Sequence, residues 1–143
     1  MTNRKLLIIS VIIVLGLLLG GLAFGMLGPR DTSRIKTKAK LSSKELLQKT
    51  SRSDSLLLND YIEKAIEVTG PIKDITVKDN KVTILLHGDH DSKLVICEMQ
   101  TNQNKYMDQL SEGDIVNIKG VFKGVLLDPI LLNCILIQKS SNG

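Results

Sequence analysis

Between Leu6 and Leu27 the chain runs for 22 residues without a charged side chain. Seventeen are apolar, four are glycine and one is Ser10, so a helix built from them has no polar side. Such a helix rises about 33 Å, enough to cross a hydrocarbon layer of roughly 30 Å. Lipid offers the backbone no hydrogen-bond partner, and a helix satisfies its own, glycines included. Residues 1–27 therefore read as an N-terminal transmembrane helix. Arg4 and Lys5 also make a basic n-region, and Ala23-Phe24-Gly25 has the small-x-small form of a cleavage site. Secretory apolar cores run about 7–15 residues, and this one is longer, which favours an uncleaved signal-anchor. No cysteine follows the run, which excludes a bacterial lipoprotein anchor. Gly16 and Gly20 form one GxxxG pair and Gly21 and Gly25 another, a spacing through which two anchors can dimerise. Glycine is also common in membrane helices for no such reason.

The net charge of +4 is unevenly laid out. Residues 28–59 carry eight basic and three acidic side chains, while residues 60–143 carry nine basic and twelve acidic. The basic character thus belongs to the juxtamembrane third, and charge alone does not make the whole chain a nucleic-acid binder. Two signals compete for orientation. A five-residue tail with Arg4 and Lys5 favours a domain outside the cytoplasm. Arg30, Arg34, Lys36, Lys38, Lys40 and Lys44 after the helix would be held inside by the positive-inside rule. The expectation is a single pass through the cell (inner) membrane with the C-terminal domain outside.

Gly28-Pro29 ends the apolar helix, because proline cannot continue it. Residues 28–41 show no apolar periodicity and are expected to form a flexible basic linker near the membrane surface, able to attract anionic headgroups. Ser42 and Glu45 have the spacing of a capping box. Leu46, Leu47, Leu57, Leu58, Tyr61 and Ile62 then predict an amphipathic helix over 42–64, with two helices as the alternative because of the polar stretch 50–55.

Beyond residue 65 the period changes to two. Ala65–Asp79 predicts a long first strand bent by a bulge at Gly70-Pro71. Asp79-Asn80 turns it into Lys81–His87, and Gly88–Ser92 leads to Lys93–Met99. Asn102–Leu110 is helix-tolerant, Ile115–Lys123 is a fourth strand and Ile130–Gln138 a fifth. Alternation places Val82, Ile84 and Leu86 on one face, and Val116, Ile118, Gly120 and Phe122 on another. Gly120 suits a tight barrel corner. Five strands with a short helix between the third and fourth is the order of an OB-fold, a barrel that removes its own edges. The expected fold is mainly β: a five-stranded OB-fold barrel over 65–138, preceded by the amphipathic helix and the anchor, with a tail at 139–143.

The run Tyr61-Ile62-Glu63-Lys64 with Glu67-Val68-Thr69-Gly70, then Val95-Ile96-Cys97, Gly113-Asp114-Ile115-Val116-Asn117-Ile118-Lys119-Gly120, Gly124, Asp128, Leu131 and Asn133-Cys134 resembles a small family of bacterial membrane-anchored OB-fold proteins. They are named for similarity to the tRNA-anticodon-binding domain. The resemblance covers roughly residues 43–138 and implies the fold; the family's name records that similarity and brings no activity with it. Pro129 stands where the family usually has an aliphatic residue.

An OB-fold binds single-stranded nucleic acid through basic grooves and stacking aromatics. Past the anchor the aromatics are Tyr61, Tyr106 and Phe122. Tyr106, Lys119 and Lys123 are the candidates for a ligand face, against the plainer reading of a core tyrosine and solvated lysines. His87-Gly88-Asp89-His90-Asp91 gathers metal-compatible side chains, yet reads equally as a solvated turn, and no metal or cofactor is expected. Cys97 and Cys134 fall on neighbouring strands, where they are inert core thiols or, in an oxidising compartment, a disulfide. No nucleophile with a base, paired carboxylates or phosphate loop points to catalysis. The expected function is a non-enzymatic, membrane-anchored binding module of the bacterial envelope, taking a protein or a glycan. The alternative is a membrane-tethered single-stranded nucleic-acid binder.

Overall fold

The structure, a computed structural model, describes residues 2–25, 31–51, 58–89 and 92–140. The chain divides into two compact units, Met1–Arg30 and Asp31–Gly143. The first is helix α1 (Thr2–Gly25). Its stretch Asn3–Gly21 is long and apolar enough to cross a membrane. The large apolar side chains from Leu6 to Leu19 are all exposed, as a helix without a protein core around it requires.

The second unit is a barrel. Its strands are β1 (Thr37–Ser42), β2 (Ala65–Lys78), β3 (Lys81–His87), β4 (Leu94–Met99), β5 (Ile115–Val125) and β6 (Pro129–Ser140). They run in the order β1-β2-β3-β4-β6-β5, and a β2–β5 pairing closes the last five into a barrel. Helix α2 (Ser43–Ser51) follows β1, and a 3-10 segment, Thr101–Gln109, joins β4 to β5. The two-residue period of the sequence becomes the inside of the barrel: Val82, Ile84, Leu86, Val116, Ile118 and Phe122 are all buried. Asp79 and Asn80 both have positive φ, the geometry of a tight hairpin turn between β2 and β3.

Residues 31–41 correct the expectation of a flexible linker. From Asp31 onward the chain is part of the barrel unit: Thr32–Arg34 is a 3-10 turn and Thr37–Ser42 is β1, paired in parallel with the first half of β2. The period was present but masked by charge. Exposed Lys36, Lys38 and Lys40 alternate with half-buried Ile35, Thr37, Ala39 and Leu41. Residues 28–30 lie outside the described residues.

The extent of the helix expected over 42–64 is also corrected. The capping box forms, with the Glu45 N–H donating to Ser42 Oγ at 3.0 Å and the Ser42 N–H donating to Glu45 Oε2 at 2.8 Å. Helix α2 nevertheless ends at Ser51, and residues 52–57 lie outside the described residues. After a short helical turn at Leu58–Asn59 the chain turns through Tyr61–Lys64, with Glu63 in the left-handed region at φ 61°. Its N–H donates to the Phe122 carbonyl at 2.9 Å, so this stretch serves strand β5 instead of extending a helix. The tail is shorter than expected, because Lys139 and Ser140 continue β6 and Lys139 holds Asp114 at 3.0 Å. The β2 bulge lies at Ile72–Asp74, just beyond Gly70-Pro71. Gly70 answers a different need: a Cβ there would overlap the Ser43 side chain, whose hydroxyl donates to the His87 carbonyl at 2.8 Å.

Gly120 stands at a close approach of β5 and β6. The β5–β6 register slips beside it, where Asn133 adopts φ 53° and turns Cys134 into the core. A Cβ built on Gly120 would overlap the Cys134 Sγ and press the Leu131 Cβ at 3.1 Å. Overpacking of this kind costs about 1–3 kcal/mol. Gly120→Ala should therefore destabilise the full chain in detergent by about that amount in urea unfolding. Combining it with Cys134→Ala should cost less than the two single changes added together; strict additivity would mean that the contact is not the constraint.

Candidate ligand face

OB-folds bind along the outer face of their second and third strands, between the loop joining strands one and two and the loop joining strands four and five. Here those strands are β3 and β4, and the loops are Asp79–Asn80 and Leu126–Asp128. The register pairs Leu85 with Ile96 and Ile96 with Ile130. Their neighbours Ile84, Leu86, Val95, Cys97 and Leu131 fill the core, so Leu85, Ile96 and Ile130 form a half-buried aliphatic row on the outside. Beside it lies a shallow depression of about 750 Å³ lined by Thr76, Val77, Lys78, Asp79, Lys81, Thr83 and Glu98. Its two lysines are matched by two acids, and Lys81 bonds Glu98 at 3.2 Å.

The β5–β6 loop completes the face. Leu126 and Leu127 are 85% and 89% exposed. They are held up by a built turn: the Leu126 N–H donates to the Asp128 carbonyl at 3.3 Å, and Asp128 Oδ1 accepts from the Leu94 N–H at 3.1 Å. Sequence reasoning treated 124–129 only as a connection and missed this pair. The signal was two leucines where a turn between Gly124 and Asp128-Pro129 calls for polar residues.

The three residues expected to form a ligand face hold separate local partners. Lys119 is buried, and its Nζ donates to the Ile35 carbonyl. Lys123 holds both carboxylate oxygens of Glu63, at 2.8 and 2.9 Å. Tyr106 is partly exposed on the 3-10 segment, in a groove of about 380 Å³ whose lining includes Asp31, Gln103, Ile135 and Ile137. Lys105 sits 4.9 Å from its ring centroid. The third aromatic, Phe122, is core. Cys97 and Cys134 are buried free thiols on the neighbouring strands β4 and β6. Burial, then the hydrogen bond and charge of Cys97, push the Cys134 thiol well up, which leaves it unreactive as a nucleophile. Asp89 is engaged by Lys44 at 2.8 Å. His87 packs its Nδ1 against the Gly88 carbonyl, and His90 and Asp91 lie outside the described residues.

Lys119 is explained by what faces it. It sits directly opposite Glu67 across the β2–β5 pair, so the barrel buries two opposite charges on its outer side. The chain at 31–40 covers both. Thr37 Oγ1 donates to Glu67 Oε1 at 2.9 Å, Lys40 Nζ approaches Oε2 at 3.2 Å, and Asn117 Nδ2 donates to Oε2 at 3.2 Å. Thr32, fully buried, donates to the Asn133 carbonyl at 2.6 Å and accepts from Gln100 at 3.2 Å. Burial works to raise the Glu67 carboxyl, but the bonds from Thr37, Asn117 and Lys40 and the charge of Lys40 outweigh it and hold the group below its ordinary value. A carboxyl so depressed stabilises the fold above the ordinary glutamate value of 4.5 and loses that contribution as pH falls through its folded value. Glu67→Gln should therefore cost roughly 2 kcal/mol at pH 7, the scale of hydrogen bonds to a buried charge. In urea unfolding, the gap between wild type and variant should close below pH 4. A gap independent of pH would show that the carboxylate's charge is not what the cover binds.

The chain matches the tRNA_anti-like family over residues 1–136. No curated protein sequence is similar enough to match. Among solved structures, it is similar to a lipoprotein from Klebsiella pneumoniae assigned by inference as nucleic acid-binding, with 20% identity and a TM-score of 0.59. That likeness covers 68% of this chain and 91% of the lipoprotein. It is also similar to asparaginyl-tRNA synthetase from Pyrococcus horikoshii, at 13% identity and a TM-score of 0.45, over 59% of this chain and 21% of the synthetase. At 20% identity the likeness to the lipoprotein is one of fold.

Proposed function

From the premise that this chain belongs to the tRNA_anti-like family, we propose that it is a non-enzymatic OB-fold module, held in the cell membrane by an uncleaved α1, that docks a protein partner outside the cytoplasm. The observation that carries the reading is the presentation of Leu126 and Leu127 to solvent beside the aliphatic row Leu85, Ile96 and Ile130. Exposed apolar side chains on a fixed turn suit a protein surface. A nucleic-acid strand asks for stacking rings and a cationic groove, and a glycan for hydrogen-bonding and ring platforms. The depression on this face carries no aromatic side chain and as many acids as lysines. The apolar length of α1 supports the anchor.

A photo-crosslinking side chain placed at Leu127 in living cells should give a discrete heterologous protein adduct. The adduct should be lost when Leu126→Asp is added and unaffected when Lys105→Gln is added. C-terminal reporters active on one side of the membrane only should signal from outside. Tight, salt-dependent binding of single-stranded oligonucleotides by the purified chain, with no protein adduct at Leu127, would overturn the reading. It would favour nucleic acid instead, the ligand class inferred for the Klebsiella lipoprotein.

A further inference from the structure

Arg34, Lys36, Lys38 and Lys40 recur at every second residue and are all exposed, while the residues between them face the barrel unit. Lys38 and Lys40 lie on β1, where alternate side chains stand about 6.6–7 Å apart on one side, and Lys36 and Arg34 precede it, Arg34 at the end of the 3-10 turn. Lys40 is engaged by Glu67 and the charge of Arg34 acts on Asp31, while Lys36 and Lys38 form no ion pair among the described residues. The row is rigid. It is pinned from behind by Thr32 on Asn133, by Ile35 on Lys119 and by Thr37 on Glu67. β1 is also the terminal strand of the sheet order, so no further strand covers its outer edge.

The same segment is tied covalently to α1. Eight residues lie between Gly25 and Arg34, so the two are at most about 32 Å apart at full extension. If α1 lies in a bilayer, the tether supplies the cations with a high effective concentration of lipid. We infer that the exposed side of the segment 34–38, through Lys36 and Lys38 with Arg34 beside them, docks on the anionic phosphate headgroups of the membrane that holds α1. The inference rests on the anchored reading above. Anionic lipid is the occupant because the row is flat, cationic and tethered at headgroup range. A nucleic-acid strand would ask in addition for stacking rings, and no aromatic residue lies between Asp31 and Ser42. Lysines on an edge strand also discourage edge-to-edge pairing, a role that does not depend on lipid composition.

The test uses the full chain reconstituted in vesicles of phosphatidylcholine alone, or with one-third phosphatidylglycerol. Acylation rates at individual lysines are read by mass spectrometry. Exposed Lys78, on the β2–β3 side, is the internal reference. Relative to Lys78, Lys36 and Lys38 should be acylated roughly five- to tenfold more slowly in the anionic vesicles. Salt at about 0.5 M should remove the difference, because the Debye length then falls to a few ångströms. In the double variant Arg34→Gln, Lys36→Gln the protection of Lys38 should fall towards its value in phosphatidylcholine. Equal rates in both vesicles, from protein that floats with them, would overturn the docking surface and leave the anchor standing. Protein that does not float with either vesicle would overturn the anchored reading and the inference with it. Protection of Lys36 and Lys38 by an added oligonucleotide, and not by phosphatidylglycerol, would overturn the inference in favour of nucleic acid.

Discussion

Strand β2 is shared by three neighbours, and the unit closes because one strand can serve them all. Its first half, from Ala65, pairs with β5 on one edge and β1 on the other; its second half, from Ile72, pairs with β3. A straight strand cannot pass from one sheet layer to the next. The bulge at Ile72–Asp74 supplies the bend, and the Ile72 amide and carbonyl are taken by Asp114 and Gly113, so the irregularity leaves neither group unpaired. On the far side the slip beside Gly120 lets β5 and β6 curl enough to meet β4. Barrel closure thus draws on local departures from regular pairing in both halves, the bulge of β2 and the slips along β5–β6 and β4–β6.

Closure has an electrostatic consequence. The β2–β5 seam carries Glu67 and Lys119 opposite each other on its outer side, and each would be costly if buried without partners. Their partners come from the chain between Thr32 and Lys40 and from Asn117. That chain is therefore a structural part of the barrel unit. It crosses the outside of β6 at Asn133 and of β5 at Lys119 before running beside β2 as β1. The charges on the seam specify the path of the segment that covers them, which apolar contacts alone would leave free to slide.

Much of the barrel was legible because its periods were simple. Strand β3 reads as KVTILLH, with every second residue buried, and its boundaries in the sequence are those of the structure. The turn at Asp79-Asn80 was legible because few other residues satisfy its backbone, and the corner at Gly120 because a glycine inside a strand marks a close approach. β1 was not, since its inward residues are Thr37, Ala39 and Leu41, only one of them strongly apolar, and lysines dominate the local average. Lys119 looked like a surface cation because burial of a charge depends on a partner 84 residues away, at Ile35, that no local pattern records. Leu126 and Leu127 were passed over because 124–129 reads as a connection between strands, although two leucines in so short a turn have no strand face to carry them into the core.

The two surfaces of interest occupy different sectors of the barrel. Around the closed order β2-β3-β4-β6-β5, the segment 31–42 takes the outer side of β2 and β5 and the middle of β6. The aliphatic row takes β3, β4 and the start of β6, with the leucine loop at the end of the same hairpin. Strands adjacent to both sectors are shared, but no side chain named in one is named in the other. Occupation of the cationic side of the segment 34–38 therefore need not obstruct Leu85, Ile96 or Leu127. A barrel with one side suited to headgroups and another suited to an apolar partner can hold both at once. The fixed path of residues 31–42 makes this arrangement rigid, because the cations cannot turn without breaking the bonds that bury Glu67 and Lys119.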